Sequence, residues 1–162
     1  MTDLLVNLYN MPKIDIDTQL GNDKIIIKRA MPFDKRKITD FVNMHFDTNE
    51  GWAYECEKAI FNNPSSCFIA VKDCEIIGFA CYDSTALGFF GPTGVSPQLR
   101  GKGIGKALLG KCLEAMKEKG YGYAIIGYVG DAIDFYQKTV NAVVIENSTT
   151  DKTVFKNLVF GK

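Results

Sequence analysis

The spacing of hydrophobic and polar positions changes several times along the chain, and each change marks an element. Lys24-Ile25-Ile26-Ile27-Lys28-Arg29 is a β-branched run that predicts a strand. Behind it, Ile38, Phe41, Val42, His45 and Phe46 recur at three and four residues, which puts them on one face of a helix, with Asp34 suited to its N-cap. A second helix is predicted over 51–61, with Ala53, Cys56, Ala59 and Ile60 on one side and Pro64 ending it. Then the period shortens. Residues 67–72 and 75–82, separated by Asp73-Cys74, read as a β-hairpin. A third strand over 87–95 is made irregular by Gly88, Gly91, Pro92 and Gly94, and glycine inside a strand marks a bulge or a ligand lying close to the backbone. The helix predicted over 103–119 carries a stripe of Ile104, Leu108, Cys112, Ala115 and Met116, with Gly120 as its C-terminal cap. Residues 123–128 are nearly continuous in apolar character and are expected to form a central strand covered on both faces. A short helix over 131–139 and strands near 143–146 and 154–159 complete the reading. Residues 1–23, mixed in pattern and ending in the turn-forming Gly21-Asn22-Asp23, are expected to be an appended segment ahead of one domain over 24–162.

Composition narrows the function classes. With 162 residues, 46% of them hydrophobic and 23% charged, the chain fits one soluble globular domain with a sizeable core. Nineteen basic and nineteen acidic residues cancel, so no overall field attracts nucleic acid or an anionic membrane, and any anion site must be local. The apolar runs fall short of the roughly 20 residues of a membrane span, and the start lacks the pattern of a secretory signal. A cytoplasmic location is therefore expected. The five cysteines show no C-x-x-C pair, so no metal site is expected, and the thiols read as reduced and structural, with Cys74 in a polar turn as the exposed one.

The chemistry is concentrated in Val95-Ser96-Pro97-Gln98-Leu99-Arg100-Gly101-Lys102-Gly103-Ile104-Gly105-Lys106, where a strand gives way to a glycine-rich turn and then to an amphipathic helix. Glycines let a ligand approach the backbone, and the free N–H groups of a first helical turn favour an anion. Arg100, Lys102 and Lys106 add charged donors. A diphosphate is the natural guest. A Walker A loop would need Ser or Thr after Lys106, where Ala107 stands, and a dinucleotide fingerprint would need glycine at position 106. A tight turn with solvated lysines is the structural alternative.

This stretch resembles the GNAT superfamily of N-acetyltransferases. Gln98-Leu99-Arg100-Gly101-Lys102-Gly103 matches every specified position of that family's Q/R-x-x-G-x-G/A loop, and Ala132-Ile133-Asp134-Phe135-Tyr136-Gln137-Lys138 looks like its A-x-x-F-Y-x-K helix. The wider runs 88–95 and 135–142 resemble a bacterial branch of that superfamily with no assigned acceptor. From residue 24 onward the resemblance implies an α/β fold of the α+β type, a mixed and mostly antiparallel sheet flanked by helices in the order β-α-α-β-β-β-α-β-α-β-β. It implies acetyl-CoA as co-substrate, no metal, and direct acetyl transfer to a small-molecule amine or, second, a protein amine. A non-catalytic acyl-CoA sensor is the alternative, and a homodimer is left open. Gln98 and the segment from Arg100 through Gly101, Lys102, Gly103, Ile104 and Gly105 to Lys106 would hold the pyrophosphate. The backbone of Thr93, Gly94 and Val95 would pair with the pantetheine arm. Tyr136 would touch the cofactor and protonate the departing thiolate. Two positions depart from the family pattern: Val129 stands where an Asn often contacts the cofactor, and Val140 or Asn141 stands where glycine commonly follows the helix.

An acceptor pocket is expected from the segment 47–52, including Glu50 and Trp52, with Tyr82, Phe89 and Tyr128 near strand ends. Acidity in that segment suits a cationic amine. His45, Glu50, Glu55 and Asp83 are the candidate proton acceptors, with His45 better suited to a core role and water as a further option.

Overall fold

The hydrophobic periods translate into a seven-stranded sheet with helices on both faces. A computed structural model describes residues 1–15, 20–46 and 50–159. The strands are β1 (Thr2–Asn7), β2 (Ile26–Arg29), β3 (Cys67–Lys72), β4 (Glu75–Tyr82), β5 (Phe89–Val95), β6 (Tyr123–Val129) and β7 (Val143–Val144). The helices are α1 (Lys35–Phe46), α2 (Glu50–Phe61), α3 (Ile104–Glu118) and α4 (Ile133–Val140). The sheet order is β2-β3-β4-β5-β6-β1-β7, antiparallel throughout except for the parallel pair β5 and β6.

Alternation along β4 shows how the sheet is held. Phe79 and Cys81 face one way, into a core built with Ile38, Phe41 and Val42 of α1 and Cys56, Ala59 and Ile60 of α2. Ala80 and Tyr82 face the other way, into a larger core with Leu108, Cys112 and Met116 of α3. The β3–β4 turn is tight because Asp73 and Cys74 both adopt positive φ, 49° and 65°, the geometry of a two-residue hairpin. Cys56, Cys67, Cys81 and Cys112 are buried and Cys74 is exposed, and all five are free thiols.

Four sequence expectations are corrected. Thr2–Asn7 is not appended: it lies inside the sheet between β6 and β7, with Leu4 opposite Ile126 on one side and Val144 on the other. The apolar Leu4, Val6 and Leu8 are fully buried there, which outweighs the mixed local pattern. The final strand expected over 154–159 is a short 3-10 helix, Val154–Asn157, because β1 already occupies the strand position beside β6. β7 is correspondingly reduced to two residues. β6 is also not covered evenly, since its residues alternate between buried and partly exposed positions and Tyr128 is exposed.

Asn141 replaces the glycine expected after α4. It caps the helix in the left-handed conformation, φ 55°, and donates its N–H to the Gln137 carbonyl. Asparagine tolerates that conformation better than other side-chain-bearing residues, so the path out of the helix is kept.

Candidate active site

Parallel strands that pair briefly and then separate leave a cleft between them. β5 and β6 pair only at Phe89 with Ile125 and Phe90 with Ile126. Beyond those pairs a cavity of about 430 Å³ is lined by both strands, and it adjoins a second of about 750 Å³ lined by β5, the start of α3 and α4. Trp52, Phe90, Thr93, Ala132 and Tyr136 line both, so the cavities form two ends of one cleft.

The larger end is built by β5, the turn after it and the start of α3. Ser96 donates its N–H to the Ile77 carbonyl at 2.9 Å, toward β4. By the alternation of a strand, the N–H groups of Thr93 and Val95 face the cleft instead. Thr93 and Val95 pair with Ala80 and Gly78 of β4, and the Thr93 hydroxyl donates to the Phe79 carbonyl at 3.0 Å, which anchors this segment from behind. Gly94 has no room for a side chain, because the Phe46 ring at the end of α1 lies against it.

The turn into α3 depends on two left-handed residues. Gly101 has φ 80° and Gly103, the N-cap of α3, has φ 81°. Most residues with a Cβ are strained there, so the glycines are required by the backbone as well as by ligand access. α3 starts with no side-chain cap, which leaves its first N–H groups available to a ligand. Arg100 and Lys106 line this end, and both are exposed. Among the described residues neither they nor Lys102 has a carboxylate partner. Gln98 and Lys102 sit on the outer side of the turn, where the Gln98 Oε1 accepts the Ser96 hydroxyl at 2.8 Å and steadies the bend. Ile104 is buried, closing the floor of the cavity and tying the turn to the core.

Tyr136 stands where the two ends meet. Its ring is 7% exposed, packs edge-on to Phe90 with centroids 6.3 Å apart, and lines both cavities. Burial pushes its hydroxyl pKa up to about 12, so it is fully protonated at neutral pH. Among the described residues its hydroxyl has no hydrogen-bond partner.

The smaller end is walled by aromatic rings. Trp52, Phe89 and Tyr128, all anticipated from sequence, line it together with Phe155. Phe155 contacts the last two, with ring centroids 5.2 Å from Tyr128 and 6.5 Å from Phe89, and Gly127 is the residue that leaves room for it. Tyr82 is not part of this wall. Its side chain is buried in the core, and its hydroxyl accepts a hydrogen bond from Arg29 at 3.0 Å. Segment 47–49 and the Glu50 side chain lie outside the described residues.

The candidate proton acceptors separate cleanly. His45 packs tilted against Phe41, with ring centroids 4.7 Å apart, and faces a different cavity beside Lys37 and Glu75. Asp83 is buried and fully engaged: it accepts from Lys119 at 2.6 Å, Tyr121 at 3.0 Å and the Gly88 N–H at 2.8 Å. Those bonds pin the loop between β4 and β5. Of the three candidates whose side chains are described, Glu55 alone lines the cleft, and it accepts the Thr85 hydroxyl from that same loop. Burial raises its pKa, against smaller lowering effects of the Thr85 hydrogen bond and the Lys58 charge. Phe155, Phe46, Thr85 and Asp131 were not anticipated. Only Phe46 had a sequence signal, as the last member of the α1 stripe.

A parallel pair that splays beside a glycine-rich helix start agrees with the sequence of the loop. The profile of the acetyltransferase (GNAT) family matches residues 35–141. The chain belongs to that family. No curated protein matches it, whereas 77 chains of solved structures do. A GNAT-family acetyltransferase from Brucella melitensis, solved with acetyl-CoA, is 17% identical over 77% of this chain and 90% of its own, with a TM-score of 0.54. The GCN5-related N-acetyltransferase from Sphaerobacter thermophilus is 20% identical over 89% of this chain and 48% of its own, with a TM-score of 0.68. A GCN5-related glucosamine N-acetyltransferase region in a fungal multi-domain β-N-acetylglucosaminidase gives 16% identity and a TM-score of 0.71 over 89% of this chain. The present chain spans 19% of that fungal chain and about half of the Sphaerobacter one. At such identities the likeness shows a shared GNAT fold. No helix among the described residues is long and apolar enough to cross a membrane.

Proposed function

We propose that the chain is an acetyl-CoA-dependent N-acetyltransferase acting in the cytoplasm, with direct transfer to the primary amine of a small molecule. The observation that carries this reading is the position of Tyr136, a buried, protonated phenol at the junction of a glycine-rich anion site and a second cavity.

The larger end fits coenzyme A on chemical grounds. Uncapped N–H groups, two glycines in left-handed turns and an Arg100 and Lys106 with no carboxylate partner among the described residues suit a pyrophosphate, and the outward N–H groups of Thr93 and Val95 suit an arm laid along β5 as an added strand. When bound, acetyl-CoA supplies the acetyl group as a thioester.

The protein's own part is positioning, charge stabilisation and proton delivery. The outward N–H groups of β5 stabilise the carbonyl oxygen as negative charge develops on it. Tyr136 gives its proton to the departing sulfur. No covalent enzyme intermediate is required, so the absence of a Ser-His-Asp arrangement among the described residues is consistent with this chemistry. The second cavity favours transfer over mere sensing, because a sensor has no use for an open space beyond the reacting carbonyl.

Two measurements test the reading. Acetyl-CoA at ~100 times its dissociation constant should stabilise the fold by about 2.7 kcal/mol, with ATP and NAD far less effective. A panel of amines should release free thiol from acetyl-CoA above the rate of hydrolysis. Stronger stabilisation by magnesium ATP, or thiol release that no amine accelerates, would count against it.

A further inference from the structure

The acceptor end of the cleft has a one-sided chemistry. Its aromatic wall is Trp52, Phe89, Tyr128 and Phe155, and the ionisable acids on it are Glu55 and Asp131. Among the described residues that line it there is no Lys, Arg or His. Flat π-faces and carboxylates both attract a cation, and an enclosed carboxylate is costly unless a cation meets it. A ligand that brings its own carboxylate would find no counter-ion here and two like charges.

Glu55 is the carboxylate held in place. It comes from α2, while the Thr85 hydroxyl that binds its Oε1 comes from the β4–β5 loop. Lys58, one turn further along α2, donates to the Asp83 carbonyl oxygen and so does not neutralise Glu55 directly. Thr85 occupies one carboxylate oxygen, and the other has no hydrogen-bond partner among the described residues.

We infer that the acceptor is a small primary amine with an apolar body and no carboxylate, an arylalkyl- or alkylamine rather than an amino acid, whose ammonium binds Glu55. This rests on the acetyltransferase reading above and supplies its acceptor. Glu55 takes one proton from the ammonium, leaving a neutral nitrogen that can attack. The N–C bond forms, the C–S bond breaks and Tyr136 protonates the sulfur. The second nitrogen proton returns through solvent to the tyrosine oxygen, and the proton on Glu55 leaves to bulk water, so one proton is released per turnover.

The test uses two matched pairs that differ only in a carboxylate: phenethylamine with phenylalanine, and 1,5-diaminopentane with lysine. Trp52 is the sole tryptophan and lines the cavity, so its fluorescence reports amine binding without turnover. Both amines should change Trp52 emission saturably and be acetylated with kcat/KM at least ~100-fold above their amino acids, in the range of discrimination set by an unpaired buried charge. Glu55→Gln should weaken amine binding ~10-fold or more and remove the acid limb of the pH–rate profile. Its acetyl-CoA affinity should stay unchanged. The groups that face Glu55 are Thr85, Lys58 and, across the cavity, Asp131, and Lys58→Met should leave the discrimination in place.

Amino acids bound and acetylated as well as the amines would overturn the inference, as would a Glu55→Gln variant with parental binding and pH profile. Acetyl-CoA binding with no response to either amine would overturn it while leaving the acetyltransferase reading intact. Amine binding that depends on Glu55 in a chain that does not bind acetyl-CoA would uphold the cation pocket and end the acetyltransferase reading.

Discussion

The Phe46 ring lies so close to Gly94 that a Cβ on the glycine would stand 2.5 Å from its Cζ. The end of α1 is thereby seated on the part of β5 that faces the cleft. Gly94→Ala should cost about 1–3 kcal/mol in urea denaturation, because the aromatic group against it, Phe46 with Phe79 and Trp52, has little freedom to move aside. Phe46→Leu frees the space, so the double variant should recover part of the loss in a double-mutant cycle. Additive losses would show that the two positions do not share that contact.

Gly103→Val should separate binding from folding. The left-handed turn at φ 81° disfavours a branched side chain by about 1–3 kcal/mol, and the new side chain would stand where the phosphates approach. Acetyl-CoA binding by calorimetry should fall below detection while the circular dichroism spectrum persists. Normal affinity in a folded variant would move the phosphates elsewhere.

Tyr136→Phe removes a hydroxyl and keeps the ring against Phe90. Turnover at saturating acetyl-CoA should drop by ~10²-fold or more, with cofactor affinity retained. The same variant tests the titration. The folded pKa of about 12 lies above the ordinary 10, so the associated stability is present below pH 10 and is lost as pH rises through 12. That alkaline loss should shrink in the Phe variant. Turnover within about threefold of the parent would make Tyr136 a packing residue.

Glu55 gives the opposite limb. Its pKa is raised by burial, so the ionised form needed to accept a proton should be lost at a higher pH than for an unperturbed glutamate. Sign matters for stability as well. A carboxyl whose folded pKa is raised favours the fold when protonated and weighs against it when ionised. Glu55→Gln, which can still accept from Thr85, should therefore melt no lower than the parent at neutral pH, and the difference should vanish on acidification. A variant less stable than the parent at neutral pH would mean that the charge is compensated.

The anion loop was legible because its requirements are local. Gly101 and Gly103 stand at positive φ, and Arg100 and Lys106 flank the helix start within a few residues of them. The β3–β4 hairpin was legible for the same reason, since turn chemistry and alternation both lie within 67–82. Tyr82 and Phe155 were not. Whether Tyr82 faces a cleft or the core depends on which face of β4 is covered by α3, and no pattern within the strand decides that. The sequence around Phe155 has enough β-branched and aromatic character for a strand, but its neighbour across the sheet was already supplied from the other end of the chain. Asn141 shows the converse, an asparagine that adopts the left-handed conformation usually left to glycine.

The placement of β1 has a kinetic consequence. β1 pairs with β6 and β7, so Leu4 meets Ile126 only once both of these distant segments have been made. Contacts so distant in sequence slow folding, because loop-closure entropy is lost before the pairing compensates for it. Until then Leu4, Leu5 and Val6 are an unpaired apolar edge, the kind of segment that associates with other chains. The wall of β6 that borders the acceptor cavity is thus braced by a strand more than a hundred residues away in sequence.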